Sequence, residues 1–94
     1  MRINTTPSGK MVSITTDNGS WRATVSINQA ASLRDALRRH VHQRSSVFTE
    51  DMKIGVYGGN VPGRTIVAIR GHCINITDEE ADKLADDLDG ILRD

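Results

Sequence analysis

Residues 77–92 read TDEEADKLADDLDGIL, and this stretch decides the fold. Thr77 and Glu80 have the spacing of a capping box, in which each side chain binds the other residue's backbone amide at a helix N-terminus. Acidic residues in the first turn suit the positive end of the helix dipole. Apolar residues then recur every three or four positions and form one stripe: Ala81, Leu84, Ala85, Leu88, Ile91 and Leu92. The pattern predicts an amphipathic helix with an acidic outer face.

The same signals predict a second helix at residues 26–41. Ser26 and Gln29 repeat the capping box. The apolar stripe consists of Ala30, Leu33, Leu37 and Val41. An offset of 51 residues aligns the two helices and the apolar segments before them. We therefore interpret the chain as two copies of strand-turn-strand-helix, the second with an additional strand in front.

The segments before the helices predict strands. Residues 11–25 alternate apolar and polar positions on either side of Asn18-Gly19, which is typical of a β-hairpin. Its expected buried face consists of Val12, Ile14, Trp21, Ala23 and Val25. In the second half, residues 53–57 predict a strand by their β-branched and aromatic content, and residues 65–69 form the most apolar run in the chain and predict a central strand. Residues 73–76 are expected to return as a strand from a tight turn at Gly71-His72, and a single bent strand through Gly71 is the alternative.

These elements predict one small α+β domain over residues 1–94. The expected architecture is a two-layer sandwich, an antiparallel sheet with two helices on one face, in the order ββα-βββα. Residues 1–10 are polar and contain Pro7 and Gly9, so we expect a loose arm or a short edge strand there. A linker is expected between Arg44 and Asp51.

The charges are balanced overall but unevenly distributed. Twelve basic and twelve acidic residues give a net charge of zero, which argues against a protein that coats nucleic acid or an anionic membrane. Residues 1–47 hold seven basic and two acidic groups, whereas residues 48–94 hold five basic and ten acidic groups. Either the basic helix meets the acidic one, or each presents a solvated face. The candidate partner-binding residues are Arg34, Arg38, Arg39, Asp82, Asp86 and Asp89.

A single cysteine, Cys73, excludes an intrachain disulfide and favours an intracellular protein. The first residues lack the apolar run of a signal peptide, and no run approaches membrane-spanning length. We expect a cytoplasmic protein without membrane association. Its small size and charge are compatible with a bacterial or phage source.

The loop at residues 58–63 is rich in glycine. Consecutive small residues can expose backbone amides to an anion, and Arg64 would supply a counter-charge. The loop lacks the Gly-Lys-Ser/Thr ending of a phosphate-binding loop and precedes a strand, so a plain hairpin loop is the alternative. The candidate ligand-binding residues are Gly58, Gly59, Asn60, Arg64 and Thr65.

Neither a metal, a cofactor nor an enzymatic activity is predicted. The possible ligands His40, His42, His72 and Cys73 do not have the spacing of a converging zinc site. There is no nucleophile–base pair and no cofactor fingerprint. The predicted function is a protein-interaction module, an adaptor, inhibitor or antagonist, that forms a homodimer through its uncovered sheet face and edge strands. The alternative is a small-ligand or nucleotide-phosphate binder that uses the glycine-rich loop.

Overall fold

The computed structural model describes residues 2–5, 11–16, 19–43, 46–49, 53–59 and 61–93. Within these ranges the chain forms seven strands and two helices. The strands are β1 Arg2–Thr5, β2 Met11–Thr15, β3 Arg22–Ser26, β4 Val47–Phe48, β5 Ile54–Gly58, β6 Arg64–Ile69 and β7 His72–Thr77. The helices are α1 Ile27–Gln43, after β3, and α2 Asp78–Arg93, after β7.

The α+β class is confirmed, with two antiparallel sheets where one was expected. The first sheet has the order β1-β2-β3 and the second has the order β4-β5-β6-β7. The element order is βββα-ββββα because two short strands add to the predicted ββα-βββα. Residues 2–5 are an edge strand paired with β2, and β4 pairs with β5 inside the predicted linker. Residues 6–10 of the expected arm lie outside the described residues.

Both helices begin with the capping boxes that the sequence predicts. The Ser26 amide donates to Gln29 Oε1 at 3.0 Å, and the Gln29 amide donates to Ser26 Oγ at 3.1 Å. The Thr77 amide donates to Glu80 Oε1 and the Glu80 amide donates to Thr77 Oγ1, both at 3.1 Å. Each box satisfies two amides that have no partner within the helix, and so fixes where the helix starts.

The turn between β6 and β7 lies at Arg70-Gly71, one residue earlier than predicted. His72 pairs with Ile69, which leaves a two-residue loop. Both loop residues have positive φ, 52° at Arg70 and 84° at Gly71. Positive φ at both positions matches the type I′ turn, whose twist suits the flanking strands. Glycine adopts positive φ easily, and Gly71 occupies the second loop position. The turn therefore lies at Arg70-Gly71 rather than at Gly71-His72.

The first hairpin closes with a wider turn. The Thr16 amide donates to the Trp21 carbonyl at 3.0 Å, and β3 starts only at Arg22. Trp21 therefore precedes the strand, although it still packs against the core. Gly19 has a φ of 74°, in agreement with the predicted turn, while Asp17 and Asn18 lie outside the described residues.

One apolar cluster joins both sheets and both helices. The other four residues of the predicted hairpin face are buried, as is the predicted stripe of each helix over its central turns. Trp21, Val41, Ile91 and Leu92 are partly buried against the same cluster. Its largest fully buried side chains include Ile14, Leu33, Leu37, Ile54, Leu84 and Leu88.

The two halves of the chain repeat one arrangement. Each contains a three-stranded antiparallel meander that leads into a helix, and β4 is the additional strand of the second half. The pairing registers make Met11–Thr15 equivalent to Arg64–Ala68, and Arg22–Ser26 equivalent to Cys73–Thr77. The counterpart of β5 is therefore β1, and the second hairpin is shorter than the first. The predicted repeat extends to the strand register.

Each helix packs on strands of both halves. α1 contacts β4 and β5 as well as β2 and β3, and α2 contacts β1 as well as β6 and β7. The helices also contact each other and run in opposite directions. The His40 side chain, near the end of α1, lies close to Gly58, because a Cβ added to Gly58 would be 3.9 Å from it. α2 begins at that same end, where the Asp78 amide donates to the Gly63 carbonyl at 2.9 Å.

Candidate functional site

Four of the six charged candidate residues pair with each other across the two helices. Arg34 Nη1 donates to Asp89 Oδ1 at 3.1 Å. Arg38 Nη2 lies 3.6 Å from both Asp89 Oδ2 and Asp86 Oδ1. Arg93 Nη2 is 2.6 Å from Asp89 Oδ2, and the Asp89 side chain is only 14 % exposed. The basic and acidic helices therefore meet within one chain, and these charges hold the helix pair together.

The other two charged candidates lie apart from this cluster. Arg39 and Asp82 are exposed, and neither forms an ion pair with another described residue. Arg39 lines a cavity of about 510 Å³ between α1 and β4, together with Asp35 and Phe48. The structure does not bring Arg39 and Asp82 together.

The glycine-rich loop uses its polar groups internally. The Gly59 amide donates to the Arg64 carbonyl at 3.0 Å. Thr65 is fully buried, and its hydroxyl donates to Asp78 Oδ1 at 2.7 Å. Gly63 has a φ of 82°, which fits the hairpin-loop alternative. Asn60 lies outside the described residues.

An anion at this loop would approach carboxylates. A cavity of about 330 Å³ lies against the loop and is lined partly by Arg64. Asp78 touches Thr65 beside it, and Glu79 and Glu80 follow in the first turn of α2. The carboxylates near Thr65 would oppose phosphate binding on that side of the loop. Phosphate binding at this loop stays a prediction.

The residues that were considered as metal ligands are separated. His40 is buried at 2 % exposure beneath the glycine-rich loop, whereas His72 and Cys73 are exposed on β7. The side chain of His42 is outside the described part of the chain. Among the described side chains, no group of three His, Cys, Asp or Glu residues is placed to hold a metal ion.

The second sheet has an apolar outer face on the side away from the core. Thr65, Val67 and Ile69 point into the core, so the alternate positions of the sheet point outward. We define the outer face as Phe48, Tyr57, Ile66, Ala68, Cys73 and Asn75. None of these six residues is charged and every one is at least partly exposed, while the exposed Arg64 lies at the border of the face, on the same side of β6 as Ile66.

Phe48 lies flat across this outer face. Its ring is 49 % exposed and stacks on Tyr57 with ring centroids 6.1 Å apart. Gly55 pairs with Phe48 and makes this position possible, because a Cβ there would lie 2.7 Å from two atoms of the Phe48 ring. The short strand β4 thus places an aromatic side chain on the sheet and leaves half of it exposed.

Tyr57 and Cys73 form the polar contact of the outer face. The Tyr57 hydroxyl lies 3.7 Å from Cys73 Sγ, at hydrogen-bonding distance for sulfur. This hydrogen bond, with smaller contributions from desolvation and the charge of the thiolate, raises the pKa of Tyr57 above its ordinary value of 10.0. Tyr57 is therefore a neutral phenol near pH 7.

Comparisons with protein-family models, with curated proteins and with solved structures give no match. Neither helix of the described residues is long and apolar enough to cross a membrane. The site must therefore be judged by its geometry.

The sequence predicts an uncovered sheet face but not which residues form it, although a signal for them is present. Residues 65–69 read TIVAI, so the positions on both sides of the strand are mostly apolar. Such a run is typical of a strand buried on both faces. In the structure only one side of β6 is covered by the core, and Ile66 and Ala68 are left partly exposed on the other. The outer face is identified by this difference between an apolar sequence pattern and the partial exposure of Ile66 and Ala68.

Proposed function

We propose that this chain is a small cytoplasmic protein-binding module, an adaptor, inhibitor or antagonist, whose contact surface is the outer face of the second sheet. The supporting observation is that the centre of this face is apolar where the equivalent positions of the first sheet are polar, although Arg64 at its border is equivalent to Met11. The single cysteine, which forms no disulfide, supports the cytoplasmic location.

The repeat provides an internal comparison between the two faces. Strand registers make Ile66 equivalent to Ser13, Ala68 to Thr15, Cys73 to Arg22 and Asn75 to Thr24. These positions point away from the core in the same local fold. At these positions the first sheet has hydroxyl and charged side chains, as expected for a surface in contact with water. In the second sheet three of the four positions, Ile66, Ala68 and Cys73, carry apolar side chains, which is typical of a surface that another molecule covers.

The chemistry of the face defines the partner. Away from Arg64 at its border, the face would remove hydration from a charged partner surface and supply no counter-charge in return. The face therefore fits an apolar, uncharged protein surface, with the Tyr57 hydroxyl and the Asn75 amide available for hydrogen bonds. Apolar patches of about 300–600 Å² are often functional on small proteins.

A lysine on the outer face tests the proposal, with a matched lysine in the first sheet as the control. Ile66→Lys places a charge in the centre of the face, whereas Ser13→Lys places the same charge at the equivalent polar position. Partners captured from cell extract with the unmodified chain are purified, and their affinities for all three chains are measured by calorimetry. We expect Ile66→Lys to weaken binding at least tenfold and Ser13→Lys to leave it unchanged. Equal binding by both variants would contradict the proposal.

A further inference from the structure

β7 is the least protected sheet edge in the described part of the chain. Edge strands normally avoid pairing with other chains through charged residues, proline, bulges or short length. The edge strands β1 and β3 each contain an arginine, and β4 has only two residues. β7 has six residues, reads HCINIT and contains neither a charged residue nor a proline.

The free backbone groups of β7 can be assigned from the turn. In a two-residue hairpin, the residues that flank the loop exchange hydrogen bonds, and such pairs then alternate along the strands. Ile69–His72 is this first pair, so Ile74 and Ile76 also bond to β6. The amides and carbonyls of Cys73 and Asn75 therefore point away from the sheet.

One outer face is smaller than a standard protein interface. Strands about 4.8 Å apart with a rise of about 3.3 Å per residue give four strands of up to six residues an area of at most about 400 Å². A standard protein interface buries about 800 Å² on each partner. Two outer faces side by side reach this size.

We infer that two copies of the chain pair their β7 strands antiparallel across a two-fold axis, which joins their second sheets into one eight-stranded sheet with a continuous outer face. Antiparallel pairing of identical edges is self-complementary, so the contact closes as a dimer. The Cys73 and Asn75 backbone groups supply the hydrogen bonds. This inference rests on the proposed function, because it explains how the outer face attains the area that a partner needs.

Proline at an outward-pointing amide tests the pairing. Asn75→Pro removes an amide that β7 does not use within its own sheet, and edge strands tolerate proline at such positions. Thr24→Pro is the matched control on β3, because the Thr16–Trp21 bond and the alternation of pairs make the Thr24 amide point outward as well. Sedimentation equilibrium over a wide concentration range gives the mass of each protein.

We expect the unmodified chain and Thr24→Pro to form dimers and Asn75→Pro to remain monomeric with an unchanged circular dichroism spectrum. If Asn75→Pro does not fold, Asn75→Lys replaces it, with Thr24→Lys as its control, because a charge also blocks edge pairing. A monomeric unmodified chain, or a dimer that survives the Asn75 substitution, would overturn the inference.

The dimer and the partner-binding role of the outer face can be tested separately. Ile66→Lys changes the outer face without touching the β7 edge, so we expect this variant to stay dimeric and lose its partner. A chain that is monomeric but still loses its partner on Ile66→Lys would overturn only the dimer. A dimer whose partner affinity is the same for Ile66→Lys and Ser13→Lys would overturn the proposed function.

Discussion

At the scale of single residues, Thr65 and Val12 occupy equivalent positions in the repeat, and both are fully buried. The two buried positions hold side chains of different polarity. Thr65 hydrogen-bonds to Asp78, the first residue of α2, whereas the equivalent first residue of α1 is Ile27. A polar pair in the second half thus stands where the first half has two apolar residues. This exchange makes the contribution of the hydrogen bond measurable.

Thr65→Val is expected to lower the free energy of unfolding by about 1–2 kcal/mol, because the Asp78 carboxylate loses a buried donor. Thr65→Val combined with Asp78→Ile copies the first half and should lose less than the sum of the two single variants. Urea denaturation of the four proteins gives the coupling. Additive losses would show that the 2.7 Å contact contributes no coupling energy.

At the scale of elements, α1 and α2 are joined by a cluster of charges around Asp89. An exposed ion pair contributes only about 0–1 kcal/mol. Asp89 differs because its side chain is 14 % exposed and lies within 4 Å of three arginines: Arg34, Arg38 and Arg93. Removing its carboxylate leaves Arg34 with only the exposed Asp35 as counter-charge, and Arg38 with only the exposed Asp86.

Asp89→Ala is therefore expected to destabilise the fold by about 1–2 kcal/mol, more than an exposed pair would. Asp82→Ala is the control, because the same substitution on the same helix removes an exposed carboxylate outside the cluster, with an expected change within about 0.5 kcal/mol. Thermal denaturation at low and high salt measures both, and the difference should shrink in 1 M salt, where charges are screened within about 3 Å. Equal effects of the two substitutions would show that the cluster is not stabilising.

The elements that the sequence predicts well are those governed by local rules. The capping boxes at Ser26 and Thr77 fix both helix starts, and the apolar stripes correctly give their buried faces. β4 escaped prediction because a two-residue strand has no periodicity and exists only through its pairing with β5. The division into two sheets likewise depends on contacts distant in sequence. The outer face required knowledge of which side of β6 the core covers.

At the scale of the whole molecule, the two halves are not independent units. α1 packs on β4 and β5, and α2 packs on β1, so each helix completes the core of the other half. Each half has fewer than fifty residues, a length at which a chain rarely buries enough apolar surface to fold alone. The molecule should therefore unfold in one cooperative step.

Separate expression of residues 1–45 and 46–94 tests this interdependence. We expect each fragment alone to lack a cooperative thermal transition, and an equimolar mixture to regain the circular dichroism spectrum of the intact chain. The cut falls between α1 and β4 and removes no strand or helix. A fragment that melts cooperatively by itself would show that one half carries its own core.

The packing of each helix onto the opposite half also sets when the protein can fold during its synthesis. Ribosomes build a chain from its N-terminus at about 5–20 residues per second, and domains usually fold as they emerge. Here α1 is made before β5, and β1 waits for α2, which ends at Arg93. The core of the nascent first half is therefore incomplete until α2 has been synthesised. We expect chaperones that bind exposed apolar segments to act during that interval.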